Sequence, residues 1–388
     1  MSAQSQNIYL DYNATAPIRP QAADAVARAL AIGGNPSSVH ASGRAARAGV
    51  ELARGQVASL VGMPSGSVIF MSGAAEANAM AIASAVAAGS RRLIVGATEH
   101  ETVLASAEAS CAVIEVLPVD GRGVADIAWL AERLGRWDTA DGAPFVALML
   151  ANNETGVIQP VAEAAALVRA HGGWLHVDAV QAAGKIAVDM RALGADTMSL
   201  SAHKLGGPSG VGTLVFGARA QLSRQLHGGG QERSMRAGTE NVGGIAGFGA
   251  AAEACLRGLD QVSVQAEWRD AAAARLVEAG AVVLGQGAER LAGTLCFAAE
   301  GFGSELQVMQ MDLAGVMVSA GSACSSGKVK PSKVALAMGL DDLAPYVLRV
   351  SGGWATTELD WQVFTESWLK AFTHHTQRQS ARQRQPAA

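Results

Sequence analysis

Lysine is scarce in this 388-residue chain: six residues (185, 204, 328, 330, 333 and 370) against 24 arginines, with only two before position 328. Charge is thin overall, at 16% of residues, where soluble domains carry about 25%, so much of the chain must be buried or covered by small side chains. A formal net charge of −4 supplies no bulk attraction to nucleic acid or to an anionic membrane, and neither is expected as a partner. No apolar run reaches the ~18–20 residues that a membrane span needs. The opening residues, Met-Ser-Ala-Gln-Ser-Gln-Asn, lack the basic start and apolar core of a signal peptide. Four cysteines (111, 255, 296 and 324) are too few and too scattered for a disulfide framework or a Cys-x-x-Cys metal pair. These absences point to a cytoplasmic protein in a reducing compartment, with no metal site.

What is present is apolar and glycine-rich: 49% hydrophobic residues and 45 glycines. The first two-thirds alternates short apolar runs with Ala-rich segments of helical period. Strands are expected over 67–71, 93–97, 113–117, 145–151, 174–178, 197–201 and 212–216, with helices such as 74–88 and 161–170 between them. Several of the runs are almost continuously apolar, as in strands covered on both faces, so the pattern reads as an α/β fold with a mostly parallel sheet. After about Gly243 a long Ala-rich helical stretch runs to about Gly280. A strand (294–297), a helix (305–313), a short strand (316–318), a Gly/Ser/Lys loop and a final strand and helix follow, forming a smaller α+β unit that the N-terminal strand 8–10 could join. This gives a large domain over 16–250, a small domain from 1–15 and 251–376, and a polar tail, 377–388, expected to be disordered.

Ligands of open α/β sheets bind outside the carboxyl ends of the strands. Five strand ends here carry polar groups: Ser72-Gly73-Ala74-Ala75-Glu76 opening a helix, Thr98-Glu99-His100, Asn152-Asn153-Glu154-Thr155-Gly156, Asp178 with Gln181 one turn on, and His203-Lys204. Each taken singly has an ordinary structural explanation, as turn chemistry, a helix cap or a hydrogen-bonded histidine. Lys204 is harder to explain that way, because it is followed by Leu205, Gly206, Gly207 and Pro208 with no acidic neighbour. A buried lysine without a partner must lose its charge, by a depressed pKa or by bonding to an aldehyde. Pyridoxal 5'-phosphate needs such a lysine, a carboxylate facing its pyridine nitrogen, a ring-stacking group and a helix N-terminus with hydroxyls for its phosphate. Lys204, Asp178, His100, and Ser72 to Ala75 with Ser201 and His203 match those needs.

The motifs Leu10-Asp11-Tyr12-Asn13-Ala14-Thr15, Gly34-Asn35-Pro36-Ser37-Ser38-Val39-His40, Ala151-Asn152-Asn153-Glu154-Thr155-Gly156, His176-Val177-Asp178-Ala179-Val180-Gln181 and Ser201-Ala202-His203-Lys204 together resemble the cysteine desulfurases. So do Gly228-Gly229-Gly230-Gln231-Glu232-Arg233, Arg236-Ala237-Gly238-Thr239-Glu240-Asn241 and Ser319-Ala320-Gly321-Ser322-Ala323-Cys324-Ser325-Ser326-Gly327. The resemblance runs in order from the first strand to about Arg349. It implies the aspartate-aminotransferase-like fold (fold type I) of class V pyridoxal-phosphate enzymes, acting as a homodimer. It also implies roles: Lys204 is the Schiff-base lysine, Asp178 faces the pyridine nitrogen, Gln181 contacts the ring hydroxyl and His100 stacks on the ring. The phosphate falls to Gly73, Ala74, Ala75, Ser201 and His203, with Thr239 reaching the cofactor of the neighbouring subunit. Asn153 and Arg349 hold the substrate carboxylate, for which the planar guanidinium fork is suited.

By the same resemblance the substrate is L-cysteine. Lys204 moves the α-proton, His100 moves a proton at the substrate thiol, and Cys324 takes the sulfur as a persulfide, leaving alanine. The sulfur then passes by thiol exchange to an acceptor or scaffold protein, as in iron–sulfur cluster assembly. Gly and Ser around Cys324, with Lys328 and Lys330 after it, favour an exposed thiolate. Cys111, Cys255 and Cys296 read as small buried hydrophobes, and Lys185 and Lys370 as solvated charges. Two positions depart from the family pattern: Ala75 stands where a Thr is usual, and Trp354 follows Gly353 where an Arg is usual. Two rival readings remain, a selenocysteine lyase or other β-eliminating enzyme, and a weakly catalytic sulfur-carrier or scaffold paralogue. A nucleotide-binding module is excluded, because no strand leads into Gly-x-Gly-x-x-Gly at a helix start.

Overall fold

The computed structural model describes residues 7–321 and 330–383. The main sheet holds seven strands: β2 (Val68–Met71), β3 (Arg92–Gly96), β4 (Val113–Leu117), β5 (Phe145–Ala147), β6 (Trp174–Asp178), β7 (Thr197–Ser201) and β8 (Gly212–Phe216), all preceded by β1 (Ile8–Tyr9) near the N-terminus. Its order is β2-β8-β7-β6-β5-β3-β4, parallel except for β8, which runs antiparallel to both of its neighbours. The chemistry of the connections explains this pattern. Only the short segment after Ser201 separates β7 from β8, enough for an antiparallel return, whereas parallel neighbours need a crossover that helices such as Val161–Ala170 supply. β2, at one edge of the sheet, and the inner β7 are both buried at every position; β2 is a continuous apolar run, whereas β7 alternates Thr197, Ser199 and Ser201 with Met198 and Leu200.

The edge strand β4 is guarded by charge. Its Glu115 accepts from Arg92 Nη1 (2.6 Å) and from Arg133 Nη2 (2.9 Å), which discourages pairing with another chain. β5 is shorter than the apolar run 145–151 predicts. Leu148 and Leu150 still donate to β6, through the carbonyls of His176 and Asp178, but the N–H of Met149 turns away from β3 to the carboxyl of Glu99. A side chain from the neighbouring strand end thus terminates that ladder and opens the sheet edge.

A second assembly contains β9 (Val282–Val283), β10 (Thr294–Ala298), β11 (Val316–Met317) and β12 (Val347–Ser351). β12-β10-β9 form an antiparallel sheet, and β1 pairs parallel with β11, Ile8 opposite Val316. Only 5% of the chain is aromatic, and those rings concentrate here. Trp361, Phe364 and Trp368 fall at helical spacing on the helix Glu358–Gln383 and are buried. Trp368 packs edge-on to Phe297 at 5.2 Å and donates to Gln307 Oε1 at 2.9 Å. The polar segment from 377, expected to be disordered, continues this helix to Gln383. The long helix is anchored by its aromatic face, so its last turns extend without an apolar stripe of their own.

Candidate active site

β3, β5, β6 and β7 end on one edge of the main sheet, beside the turn that follows β2. Lys204 closes the single 3-10 turn Ala202–Lys204 after β7. Its Nζ donates to the backbone carbonyls of Asn13 (2.5 Å) and Ala14 (2.7 Å). Burial, and after it the Arg349 guanidinium, lower its pKa from 10.5 to about 8, against the pull of Asp11 and Asp178. A neutral primary amine has two N–H groups, and here two carbonyls take both. The lone pair is left for an electrophile.

Asp178, at the end of β6, is buried and accepts from Asn78 Nδ2 and from the N–H of Val180, each at 3.0 Å. Behind Asn78 lies His176, whose Nε2 is 2.9 Å from Asn78 Oδ1 and whose Nδ1 is 2.9 Å from Thr197 Oγ1. Burial lowers the His176 pKa to about 3, so the ring is neutral. Because Asn78 gives its amide hydrogens to Asp178 and Thr102, its oxygen must accept. The His176 proton is therefore on Nε2, and Nδ1 accepts from Thr197. Asn78, His176 and Thr197 form a relay that orients the carboxylate, and none of the three was among the expected site residues. Asn78 lies one turn inside the helix Ala74–Ala87, and no local motif marks it.

Gly73 precedes that helix and supplies no side-chain cap, so the N–H groups of the first turn, from Ala74 and Ala75 onward, face outward for an external acceptor. The turn is crowded from one side: a Cβ on Gly212, which opens β8, would lie 2.6 Å from the backbone of Gly73. The Ser72 hydroxyl donates to Glu76 at 2.6 Å, and Glu76 is held by Arg236 at 2.9 Å. Ser201 is buried beside this turn's strand layer, and His203 Nδ1 lies 3.2 Å from Thr15 Oγ1. Burial, and then the charge of Lys204, lower the His203 pKa to about 4, so it offers an anion a neutral N–H rather than a positive charge. Thr239 is exposed, and with Met71, Ser72, Arg236 and Gly238 it lines a small cavity of about 80 Å³.

His100 is exposed at the end of the β3 segment and caps the helix Glu101–Ala109, its Nδ1 accepting from the N–H of Thr102 at 3.2 Å. Nδ1 is thereby an acceptor, which puts the ring proton of the neutral form on Nε2. Arg349, on β12, is buried. Its Nη2 donates to Asp11 Oδ1 at 2.7 Å and its Nη1 to the Asn153 carbonyl at 3.1 Å, while its Nε is buried without a partner among the described residues. Asp11 also accepts from the Ser319 hydroxyl at 2.7 Å. Asn152 shapes the turn, its Oδ1 accepting from the N–H groups of Glu154 and Thr155 at 2.9 Å each, and this leaves the Asn153 carboxamide with no partner among the described residues.

Two side-chain expectations need correction. Lys185 is not a solvated charge: it is half-buried, and its Nζ donates to Asn13 Oδ1 and Gln181 Oε1 at 2.6 Å each. The i, i+4 spacing of Gln181 and Lys185, directly after Asp178, was a usable signal of a shared face. Cys111 is exposed rather than buried, whereas Cys255 and Cys296 are buried. Trp354 stands clear of substrate duty: its Nε1 donates to the Pro17 carbonyl at 3.0 Å and Arg19 lies 5.2 Å over its ring. Cys324 and Lys328 lie outside the described residues. Lys330 is exposed, and Lys333 pairs with Glu101 at 2.7 Å.

The donor set suits pyridoxal 5'-phosphate. An amine that can be neutral, a carboxylate braced by two donors, and a helix start without a side-chain cap converge on one edge. The orphaned Arg349 Nε and the unpartnered Asn153 amide add hydrogen-bond capacity for a carboxylate on the side facing β12.

Sequence comparisons agree. Residues 8–364 match the family model described as "Aminotransferase class-V". The chain is 37% identical over 366 residues to the cysteine desulfurase IscS of Dictyoglomus turgidum, covering 92% of each chain. It is 41% identical over 344 residues to a cysteine desulfurase of Cereibacter sphaeroides, covering 86% of this chain and 87% of that one. Among solved structures, the NifS-like protein of Rickettsia africae superposes with a TM-score of 0.87 at 28% identity, over 95% of this chain and all of the other. DndA of Streptomyces lividans gives 0.74 at 35% identity, over 88% and 99%. With a family model spanning nearly the whole chain, and relatives near 40% identity sharing its length, this protein belongs to the class V aminotransferase family, among the pyridoxal-phosphate-dependent cysteine desulfurases.

Proposed function

We propose that this enzyme removes the sulfur of L-cysteine, releases L-alanine, and carries the sulfur as a persulfide on Cys324 for delivery to an acceptor protein serving iron–sulfur cluster assembly. The observation that carries the reading is the Lys204 amine, held by two backbone carbonyls with its lone pair unclaimed, within the field of both Asp178 and Arg349. Pyridoxal 5'-phosphate, when bound, supplies an electron sink for the charge that develops on the substrate. Lys204 would hold it, Asp178 would keep its ring nitrogen protonated, and Gln181 would donate to its ring oxygen. The phosphate would rest on the N–H groups of Gly73, Ala74 and Ala75, with Ser201, His203 and Thr239 of the partner copy in the homodimer. The loss of a hydroxyl at Ala75 leaves this contact to main-chain donors.

The substrate carboxylate meets the Arg349 fork and the Asn153 amide. An anion arriving there shares the guanidinium with Asp11, which holds the fork in place beforehand. Lys204 takes the α-proton and returns a proton to the product. His100, with its proton on Nε2, is placed by its capping bond to exchange a proton with the substrate thiol. The Cys324 thiolate attacks the substrate sulfur: the S–S bond forms as the Cβ–S bond breaks, and the electron pair left on Cβ takes a proton to give alanine. Cysteine and one thiol thus become alanine and one persulfide. A cytoplasmic location belongs to this proposal; among the described residues no helix is long and apolar enough to cross a membrane.

The test is direct. The purified protein should be yellow and, given L-cysteine and a thiol reductant, should form sulfide and alanine in equal amounts. Cys324→Ala should keep the colour and lose sulfide release. A protein that stays colourless with added cofactor, or turnover that survives Cys324→Ala, would overturn the reading. Turnover of selenocysteine alone would move it to the rival lyase.

A further inference from the structure

The mechanism leaves one amine of the site without a task. Lys185 follows Gly184 in the turn after β6. Gly184 has φ +74°, and a Cβ there would lie 2.7 Å from Leu205 Cδ2 and 2.8 Å from Cys255 Sγ. Only glycine fits that turn, and the turn aims the next side chain inward. Lys185 Nζ then meets two amide oxygens, Asn13 Oδ1 and Gln181 Oε1, each at 2.6 Å.

An amine of lysine gives hydrogens and, when charged, accepts none. Its two partners must therefore turn their oxygens toward it and their NH2 groups away. Gln181 Nε2 accordingly donates to the Asn13 carbonyl at 2.9 Å, the same oxygen that accepts from Lys204. Asn13 Nδ2 donates to the Asn153 carbonyl at 3.1 Å and to Thr294 Oγ1 at 3.2 Å. Without Lys185 each carboxamide is held only through its NH2 group, and its oxygen loses the one donor it has among the described residues. The groups facing Lys185 are the Lys204 amine, the Arg349 guanidinium and the thiol of Cys255, and burial, then Lys204 and Arg349, push the Lys185 pKa well below its ordinary value; the carboxylates of Asp11 and Asp178 act on the neighbouring Lys204. Among the described residues no carboxylate is hydrogen-bonded to Lys185, so ion pairing does not account for its presence beside Lys204 and Arg349.

We propose that Lys185 is a positioning residue of the active site: its bonds to Gln181 and Asn13 lock both carboxamides, so that Gln181 presents NH2 rather than oxygen to the cofactor. The inference rests on the reading of Lys204 and Gln181 as cofactor-binding residues. The chromophore of the bound cofactor reports on it, because loss of a donor to the ring oxygen raises the pH at which the visible band changes. The holoenzyme, Lys185→Met and Lys185→Gln are titrated spectrophotometrically, each also in a Gln181→Ala background. Lys185→Met should move the midpoint upward by about half a unit or more, roughly a threefold change in proton affinity. Lys185→Gln, which keeps a donor but no charge, should restore most of that shift, and serves alone if the Met variant does not fold. In the Gln181→Ala background, Lys185→Met should add nothing.

An unchanged midpoint in Lys185→Met would overturn the proposal. So would equal shifts for Met and Gln, or a full shift persisting without Gln181, either of which would make Lys185 a source of charge alone. If the unsubstituted protein takes up no cofactor, the proposed function fails and this inference with it; a normal holoenzyme with unresponsive Lys185 variants sinks only the inference.

Discussion

Glu99 is a buried carboxyl whose Oε1 accepts from the N–H of Met149 and whose Oε2 has no partner among the described residues. Burial, and then the charge of Asp178, raise its pKa from 4.5 to about 8. The folded protein therefore holds a proton at Glu99 that the unfolded chain releases above pH 4.5. Stability is greatest below that pH, and is lost progressively as pH rises toward 8. Between pH 5 and pH 7 that linkage removes about 2–3 kcal/mol, at 1.36 kcal/mol per unit over the span in which only the unfolded carboxyl ionises. Glu99→Gln keeps the shape and the acceptor for Met149 but cannot ionise. It should be near neutral at pH 5 and should raise unfolding stability relative to the parent by about 2–3 kcal/mol at pH 7. Urea unfolding of both proteins at both pH values, matched for cofactor content, measures the difference. A substitution effect that is the same at pH 5 and pH 7 would refute the reasoning, because Glu99 would then be ionised in the fold or protonated in both states.

Other substitutions probe the frame and the substrate side. Arg54 and Glu232 form a buried two-point pair, with Nη1–Oε2 at 2.7 Å and Nη2–Oε1 at 2.9 Å, and the same carboxylate also accepts from the N–H of Phe70. Arg54→Met should cost about 3–5 kcal/mol in urea unfolding, because a carboxylate is left buried without its cation, and adding Glu232→Leu should recover part of the loss. Arg349→Lys replaces a planar fork with a point charge, so KM for L-cysteine should rise by about tenfold or more, with the visible band of the cofactor unchanged. A KM equal to the parent's in steady-state assays would remove Arg349 from the carboxylate site.

The local pattern was enough for most elements. β4, β6, β7 and β8 fall at the bounds expected; β6 and β8 are mostly apolar and buried almost throughout, as strands covered on both faces are, whereas β4 is a partly exposed edge and β7 is buried although it alternates hydroxyl residues with Met and Leu. Where the expectation failed, a long-range contact intervened. The β5 ladder stops because Glu99 captures the Met149 N–H, and the polar end of the last helix is ordered because the aromatic residues before it are packed against Phe297 and Phe302. Trp354, of which the sequence said only that an Arg is usual there, is placed by Arg19 and Pro17, more than 300 residues away in the chain.

The same division runs through the active-site region. The identity of Lys204 as a lysine without an acidic neighbour in sequence, and of Asp178, His100 and the Gly73 turn as strand-end groups, is a matter of residue type and position along the chain, so the sequence by itself determined it. Which groups surround them depends on how the strands are ordered, and only the tertiary structure decided that. Asn78 reaches Asp178 across 100 positions, Asp11 reaches Arg349 across 338, and Lys185 joins Lys204 by sharing Asn13. Lysine scarcity singles out one amine. Burial beside a second, with amide oxygens as the hydrogen-bond partners of that second amine, is a fact of packing, because hydrogen bonds and burial act through space and leave no mark in the local sequence.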